Sequence, residues 1–255
     1  MDVTERFAEL AARPSGLLPI DEAVALIAAH DHPVDVPAVL GRLDDLAERC
    51  PSATVEGVCE LLFDHEGFAG DVEDYHNPDN SFLDRVLERR VGLPILLCVV
   101  TAEVAARAGV CLAPVGMPGH LLLRDCSDDG SFIDPFQGGR RLDRAGCERI
   151  FHELHPTTPF REAFLDPTDG RTVLQRISTN LVRTFSTRGP IGSLAWALHL
   201  RAILAGGDAW VPVARVKERV GDWPGAANAW EVVAESSPAG SQAGIRAASL
   251  RAKVN

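Results

Sequence analysis

The chain has 255 residues, enough to bury a sizeable core in one or two domains, and its 46% hydrophobic and 24% charged content excludes a globally disordered protein. The net charge of −11 is unevenly spread: 31 acidic and 14 basic side chains lie in residues 1–170, 5 and 11 in residues 171–255. An acidic body lacks the lysines and arginines that neutralise phosphates, so no nucleic acid is expected as a partner.

The amino terminus, MDVTERFAELAARPSG, is charged from its second residue and has no apolar core of an export signal. The most apolar runs, LPILLCVV and GHLLLR, fall well short of the roughly 20 apolar residues that span a bilayer. These features predict a cytoplasmic chain with no membrane partner. The six cysteines (50, 59, 98, 111, 126, 147) form no C-x-x-C pair and no close Cys/His cluster, which predicts reduced thiols and no metal site. No cofactor is expected.

Residues 1 to about 65 read as helical. IDEAVALIAAH, with an Asp in N-cap position, VPAVLGRLDDLAERC and TVEGVCELLFDHEG each carry apolar residues at helical spacing. GFAGDVEDYHNPDN follows as a loop dense in turn-forming residues. NSFLDRVLERR predicts a short helix with Asn80 or Ser81 as its cap. VGLPILLCVVTAEVAARAGV predicts a buried central helix that starts at Pro94 and ends at Gly109.

CLAPVGMPGHLLLRDCSDDGSFIDPFQGGRRL is β-rich, and SDDG supplies a hairpin turn between HLLLRD and SFIDPF. His120 and Asp134 are separated by an even number of residues, so a regular hairpin places both on one sheet face. From 171 onward the pattern is helical again, and Trp210 to Pro238 fits one tetratricopeptide-type helical pair. Trp210 opens it, Gly221 makes its turn, Ala226 and Trp230 face the packing side, and Pro238 stops it. The whole is an α+β chain with a helical N-terminal region, a core with a small antiparallel sheet and an all-helical C-terminal module.

A thiol hydrolase or acyl transferase needs a thiolate, an imidazole to take its proton and a carboxylate to orient that imidazole. His120 and Asp134 can supply the last two, or they can simply satisfy each other inside the sheet. A nucleophile belongs at the start of the central helix, where the helix dipole stabilises a thiolate. Pro94 stands there and has no proton to lose. Cys98, four residues on and about 6 Å deeper, sits among leucines and valines that favour the neutral thiol. Asn77, Asn80 and Ser81 can line a cleft rim or build a turn and cap a helix. Arg89 and Arg90 can hold a carboxylate, or one can pair within the loop while the other stays solvated.

GFAGDVEDYHNPDNSFLDRVLERRVGLPI, VGMPGHLLLR and FIDPFQGGRRL, in that order, resemble the motifs of the SirB1 family of transglutaminase-like proteins. The resemblance covers about residues 20–165. It implies a papain/transglutaminase-like core over 66–165 behind a helical region at 1–65, followed by a tetratricopeptide-like (TPR-like) module at 171–255. It also implies that Pro94 occupies the nucleophile position of a triad whose His120 and Asp134 remain. Two positions depart from the family pattern: His76, where a second tyrosine is usual, and Leu96, where Ser or Thr is. The expectation is therefore a non-catalytic interaction or regulatory protein with a protein partner. The alternative is a cysteine-dependent peptidase, amidase or transglutaminase built on Cys98, His120 and Asp134. A third reading is a scaffold whose helical module does the binding.

Overall fold

The computed structural model describes residues 2–235 and 242–253. Helices α1 (Val3–Ala11), α2 (Ile20–Ala28), α3 (Val36–Glu48) and α4 (Val55–Cys59) come first, and a π-helical turn, Glu60–His65, extends α4. A short strand β1 (Ala69–Gly70) then leads through the 71–82 loop to helix α5 (Leu83–Arg89) and strand β2 (Val91–Gly92). The central helix α6 (Pro94–Arg107) follows, then strands β3 (Leu112–Val115), β4 (Leu122–Asp125), β5 (Phe132–Asp134) and β6 (Arg140–Leu142). Helices α7 (Arg144–Leu154), α8 (Gly170–Arg188), α9 (Ile191–Ala205), α10 (Trp210–Arg219), α11 (Trp223–Glu235) and α12 (Gln242–Arg251) complete the chain.

The helix starts have local causes. Asp35 caps α3 by accepting from Ala38 N–H at 3.1 Å, and Thr54 and Asp143 cap α4 and α7 in the same way. Pro94 takes the first position of α6, where a missing N–H costs nothing. Ten of the 14 residues of α6 are buried, which makes it the centre of the core. Strands β3 to β6 form an antiparallel sheet in sequence order, and β1 pairs with β2 in parallel. Val115, Leu122, Phe132 and Leu142 point from the sheet into one cluster with Ile150 and Phe151 of α7.

Three local expectations change. Helix α2 begins at Ile20 with Pro19 before it, so Asp21 is not the cap; it lies in the first turn, and its Oδ1 accepts from Glu22 N–H at 2.8 Å. Phe82 holds the N-cap position of α5, because Asn80 and Ser81 are spent in a 3₁₀ turn over Pro78–Ser81. Cys111 and Cys126 form a disulfide instead of standing as free thiols. They flank the paired residues Leu112 and Asp125 of β3 and β4, so the strand register brings their Cα atoms to 5.5 Å. A cross-strand pair 15 residues apart leaves no trace in a search for close cysteine spacings. Cys50, Cys59, Cys98 and Cys147 are free.

The chain divides into two compact units, Met1–Ile177 and Ser178–Asn255. In the second, Leu198, Ala202, Val213 and Ala229 form the core, with Trp210 and Trp230 packed against it. Gly221 turns the chain between α10 and α11 at φ +79°, and Trp230 Nε1 donates to Glu218 at 2.7 Å. Helix α12 adds a further helix to the expected pair, and Ala226 and Ala227 of α11 pack with its Leu250. All four tryptophans lie in this unit, and the single tyrosine, Tyr75, lies in the other. Pro238 lies outside the described residues. Among the described residues no helix is long and apolar enough to cross a membrane, and no group of His, Cys, Asp and Glu is placed to hold a metal ion.

Arg107 ties the first unit together. Its guanidinium donates to Asp21 of α2, to Asp44 of α3 at 2.6 Å and to Glu103 of α6 at 2.7 Å. Burial, with Asp21 close by, holds the Glu103 carboxyl above its ordinary range even against the pull of Arg107. Removing the guanidinium leaves Asp21 and Glu103, both largely buried, facing each other uncompensated. Arg107→Met is expected to cost about 2 kcal/mol. Thermal unfolding checks this as a Tm lower by about 4–8 °C.

Candidate functional site

The sequence MPGH folds as a tight turn: His120 N–H donates to Met117 O at 3.1 Å, and Gly119 takes φ +80°. Pro then Gly at the two central positions is the pattern of a type II turn. A side chain at Gly119 would also strike His155, whose Nε2 lies 3.1 Å from Pro118 O. The turn fixes where the imidazole starts. Strands β4 and β5 bring Asp134 to meet it, with His120 Nε2 3.0 Å from Asp134 Oδ2.

Asp134 is fully buried, and each of its oxygens is engaged. Oδ2 faces His120, while Oδ1 accepts from Phe136 N–H at 3.0 Å and Gln137 N–H at 3.3 Å. The carboxylate therefore caps the 3₁₀ turn Pro135–Gln137 and orients the imidazole with one group. With Nε2 donating to a carboxylate, a neutral ring carries its lone pair on Nδ1. No described residue hydrogen-bonds that nitrogen.

Phe136 stands edge-on to the imidazole at 6.1 Å, and Tyr75 stands edge-on to Phe136 at 6.1 Å. His76 meets Tyr75 at 5.5 Å. Gly70 of β1 passes directly under Phe136: a Cβ there would lie 2.4 Å from the ring. The 71–82 loop thus reaches the dyad through an aromatic chain, Tyr75 to Phe136 to His120.

That loop is locked from its other side. Asn80 is fully buried; its Nδ2 donates to Asp74 O, its Oδ1 accepts from Arg89 Nη1 at 2.9 Å, and its backbone carbonyl accepts from Leu93 N–H. Arg89 Nη2 also reaches Asp71 at 3.3 Å. The Asp74 N–H, then Asn80 and Arg89, hold the Asp71 carboxyl below its ordinary range. Asn77 caps the 3₁₀ turn through Asp79 N–H, and Ser81 is buried within it. Arg90 turns the other way: its side chain stays half exposed and pairs with Glu66 at 2.6 Å, which Arg49 also contacts. Arg90 has φ +60°, the left-handed C-cap of α5, a conformation that costs a side-chain-bearing residue about 1 kcal/mol.

Cys98 does not join the dyad. It is 1% exposed, and its thiol donates to Leu121 O at 3.3 Å. Burial first, and the negative charge of Asp134 second, push its pKa well above the ordinary value, with Arg176 opposing them. Leu96 is fully buried, and Pro94 lies buried at the first position of α6. The structure brings together His120 with Asp134, and Asn80 with Arg89. Arg90 and Cys98 face elsewhere.

Four contributors escape sequence reading: Phe136, Gly70, Tyr75 and Arg176. Tyr75 carries a weak signal, as the chain's single tyrosine inside its most turn-rich loop. Arg176 carries none, since an arginine on an amphipathic helix is ordinarily a solvated one.

Two outcomes follow from this geometry. Asp134→Ala strands two backbone N–H groups and the imidazole and is expected to cost about 3 kcal/mol, against about 1 kcal/mol for His120→Ala, in urea unfolding. Asp71 has a folded pKa below its unfolded one, so its contribution is full above pH 4 or so and fades as pH falls through the folded pKa. The stability advantage of the wild type over Asp71→Asn is therefore expected at neutral pH and lost in acid.

A sequence profile of the transglutaminase-like superfamily matches residues 31–179. A UPF0162 protein of Xylella fastidiosa is 44% identical over 129 residues, 49% of this chain and 46% of that one. F-box only protein 21 of Mus musculus is 33% identical over 140 residues, 51% of this chain and 22% of that one. A UPF0162 protein of Pseudomonas aeruginosa is 32% identical over 197 residues, 72% of this chain and 71% of that one. The chain spans about half the length of the Xylella relative. No solved structure matches. With the profile covering the dyad, the 71–82 loop and α6 together, the chain belongs to the transglutaminase-like superfamily, alongside the UPF0162 proteins.

Proposed function

We propose that the protein is a non-catalytic member of its superfamily, of the SirB1 type, that uses the surroundings of His120 and Asp134 to bind a protein partner in the cytoplasm. The single observation that carries this reading is the residue at the start of α6: a proline, whose ring nitrogen is acylated and whose side chain offers no nucleophile. The dyad, the aromatic chain and the locked loop are nonetheless in place. A binding role needs such a preorganised surface and needs no thiolate.

The burial of Cys98 weighs against the cysteine-enzyme reading. To attack a carbonyl, the thiol must give up its bond to Leu121 O, lose a proton in an apolar surround and reach the imidazole from inside the helix packing. The F-box relative adds support of another kind. There the matching stretch is 22% of a much longer chain, the arrangement of a module joined to other segments. The helical unit Ser178–Asn255 suits the same role as a second contact surface.

Thiol labelling followed by peptide mapping tests the proposal. Iodoacetamide is expected to modify Cys98 at least about a hundredfold more slowly in the folded protein than in urea, since access requires local unfolding. Neither wild type nor His120→Ala is expected to hydrolyse a peptide amide or transfer an acyl group from a glutamine peptide to an amine. Fast labelling of Cys98 that His120→Ala abolishes, or turnover that depends on Cys98, overturns the reading.

A further inference from the structure

Several half-buried arginines of the first unit meet carboxylates: Arg107 has three, Arg89 has Asp71, and Arg6 has Glu22. Two arginines of α8 bond carbonyls instead: Arg171 donates to Ala11 O and Arg13 O, away from the dyad, and Arg176 lies beside it. Its Nη2 donates to two backbone carbonyls, Met117 O at 3.2 Å and His120 O at 3.1 Å, the two ends of the turn that carries the imidazole. Its Nη1 lies over Gly116, where a Cβ would come within 3.0 Å. No carboxylate pairs with it among the described residues.

Burial lowers the pKa of this guanidinium, and the groups that act against burial are Cys98 and Tyr75, of which the Cys98 thiol is itself pushed up by burial. A half-buried guanidinium without a counter-charge is unfavourable in a chain that carries 31 acidic side chains in residues 1–170. Two carbonyl bonds satisfy Nη2 and leave Nη1 and Nε able to donate. Asp134, which accepts from His120 and from the Phe136 and Gln137 amides, forms no ion pair with the cation. A single guanidinium calls for one negative charge.

We infer that Arg176 is a recognition residue beside His120, and that its ligand presents a single carboxylate. The inference rests on the binding role proposed above and names the chemistry of what is bound. One uncompensated guanidinium matches a monoanion; a phosphate dianion would bring a second charge that nothing beside it offsets. The turn carbonyls hold Arg176, and Arg176 in return holds the turn, so occupation by a carboxylate is felt at His120.

Titration of the isotope-labelled full-length protein with acetate, acetamide and inorganic phosphate, read at the His120 ring signals by NMR, tests this. Acetate is expected to give a saturable shift, acetamide none, and phosphate a weaker one than acetate. Arg176→Gln is expected to raise the acetate Kd at least tenfold, while Arg171→Gln leaves it unchanged. If Arg176→Gln does not fold, modification of Arg176 by phenylglyoxal in the wild type is expected to be slowed by acetate and not by acetamide. Equal responses to acetate and acetamide, acetate binding unchanged in Arg176→Gln, tighter binding of phosphate, or phenylglyoxal modification indifferent to acetate overturns the inference. Turnover through Cys98 with the acetate response intact would instead sink the non-catalytic reading and leave this one standing.

Discussion

A carboxylate with no exposure to water must find every partner it needs within the protein, and Asp134 does so with three bonds from three directions. The rest of the site depends on this. The two backbone amides it accepts from set the turn that carries Phe136, and the third bond sets the tilt of the imidazole. Phe136 then supplies the wall against which Tyr75 and the 71–82 loop rest. One side chain thus joins the sheet, the 3₁₀ turn and the loop, and its loss disturbs all three.

Charge is arranged on the same principle throughout the first unit. An excess of acidic side chains is tolerable where a guanidinium gathers several of them, as Arg107 does for three helices and as Arg49 and Arg90 do for Glu66. Arg171 and Arg176 of α8 depart from the pattern, because they gather only carbonyls, and of the two it is Arg176 that holds the turn of the imidazole. Dipoles steady a cation without cancelling its charge.

Much of the architecture was legible because it rests on local rules. Pro94 and Gly109 bracket α6, and SDDG lies in the connection between β4 and β5. The expected shared sheet face does not apply, because His120 lies before β4, in the turn from Met117, and that turn with the start of the 3₁₀ turn brings it to Asp134. Places where reading failed have a common physical source in contacts between segments far apart in sequence. Asn80 looks like a helix cap until Arg89 and Leu93 claim it from the other end of α5. Cys111 and Cys126 look like isolated thiols until the strands fix their register. Gly70 looks like one more loop glycine until Phe136 arrives above it from beyond residue 130.

The distribution of aromatic chromophores has a use of its own. Every indole belongs to the unit Ser178–Asn255, and the lone phenol sits in the loop beside the dyad. Excitation at the red edge of the absorption band therefore reports on the C-terminal helices alone, free of the loop's phenol. The melting of that unit can be followed by its own fluorescence, without attaching a dye, and set against a signal from the whole chain.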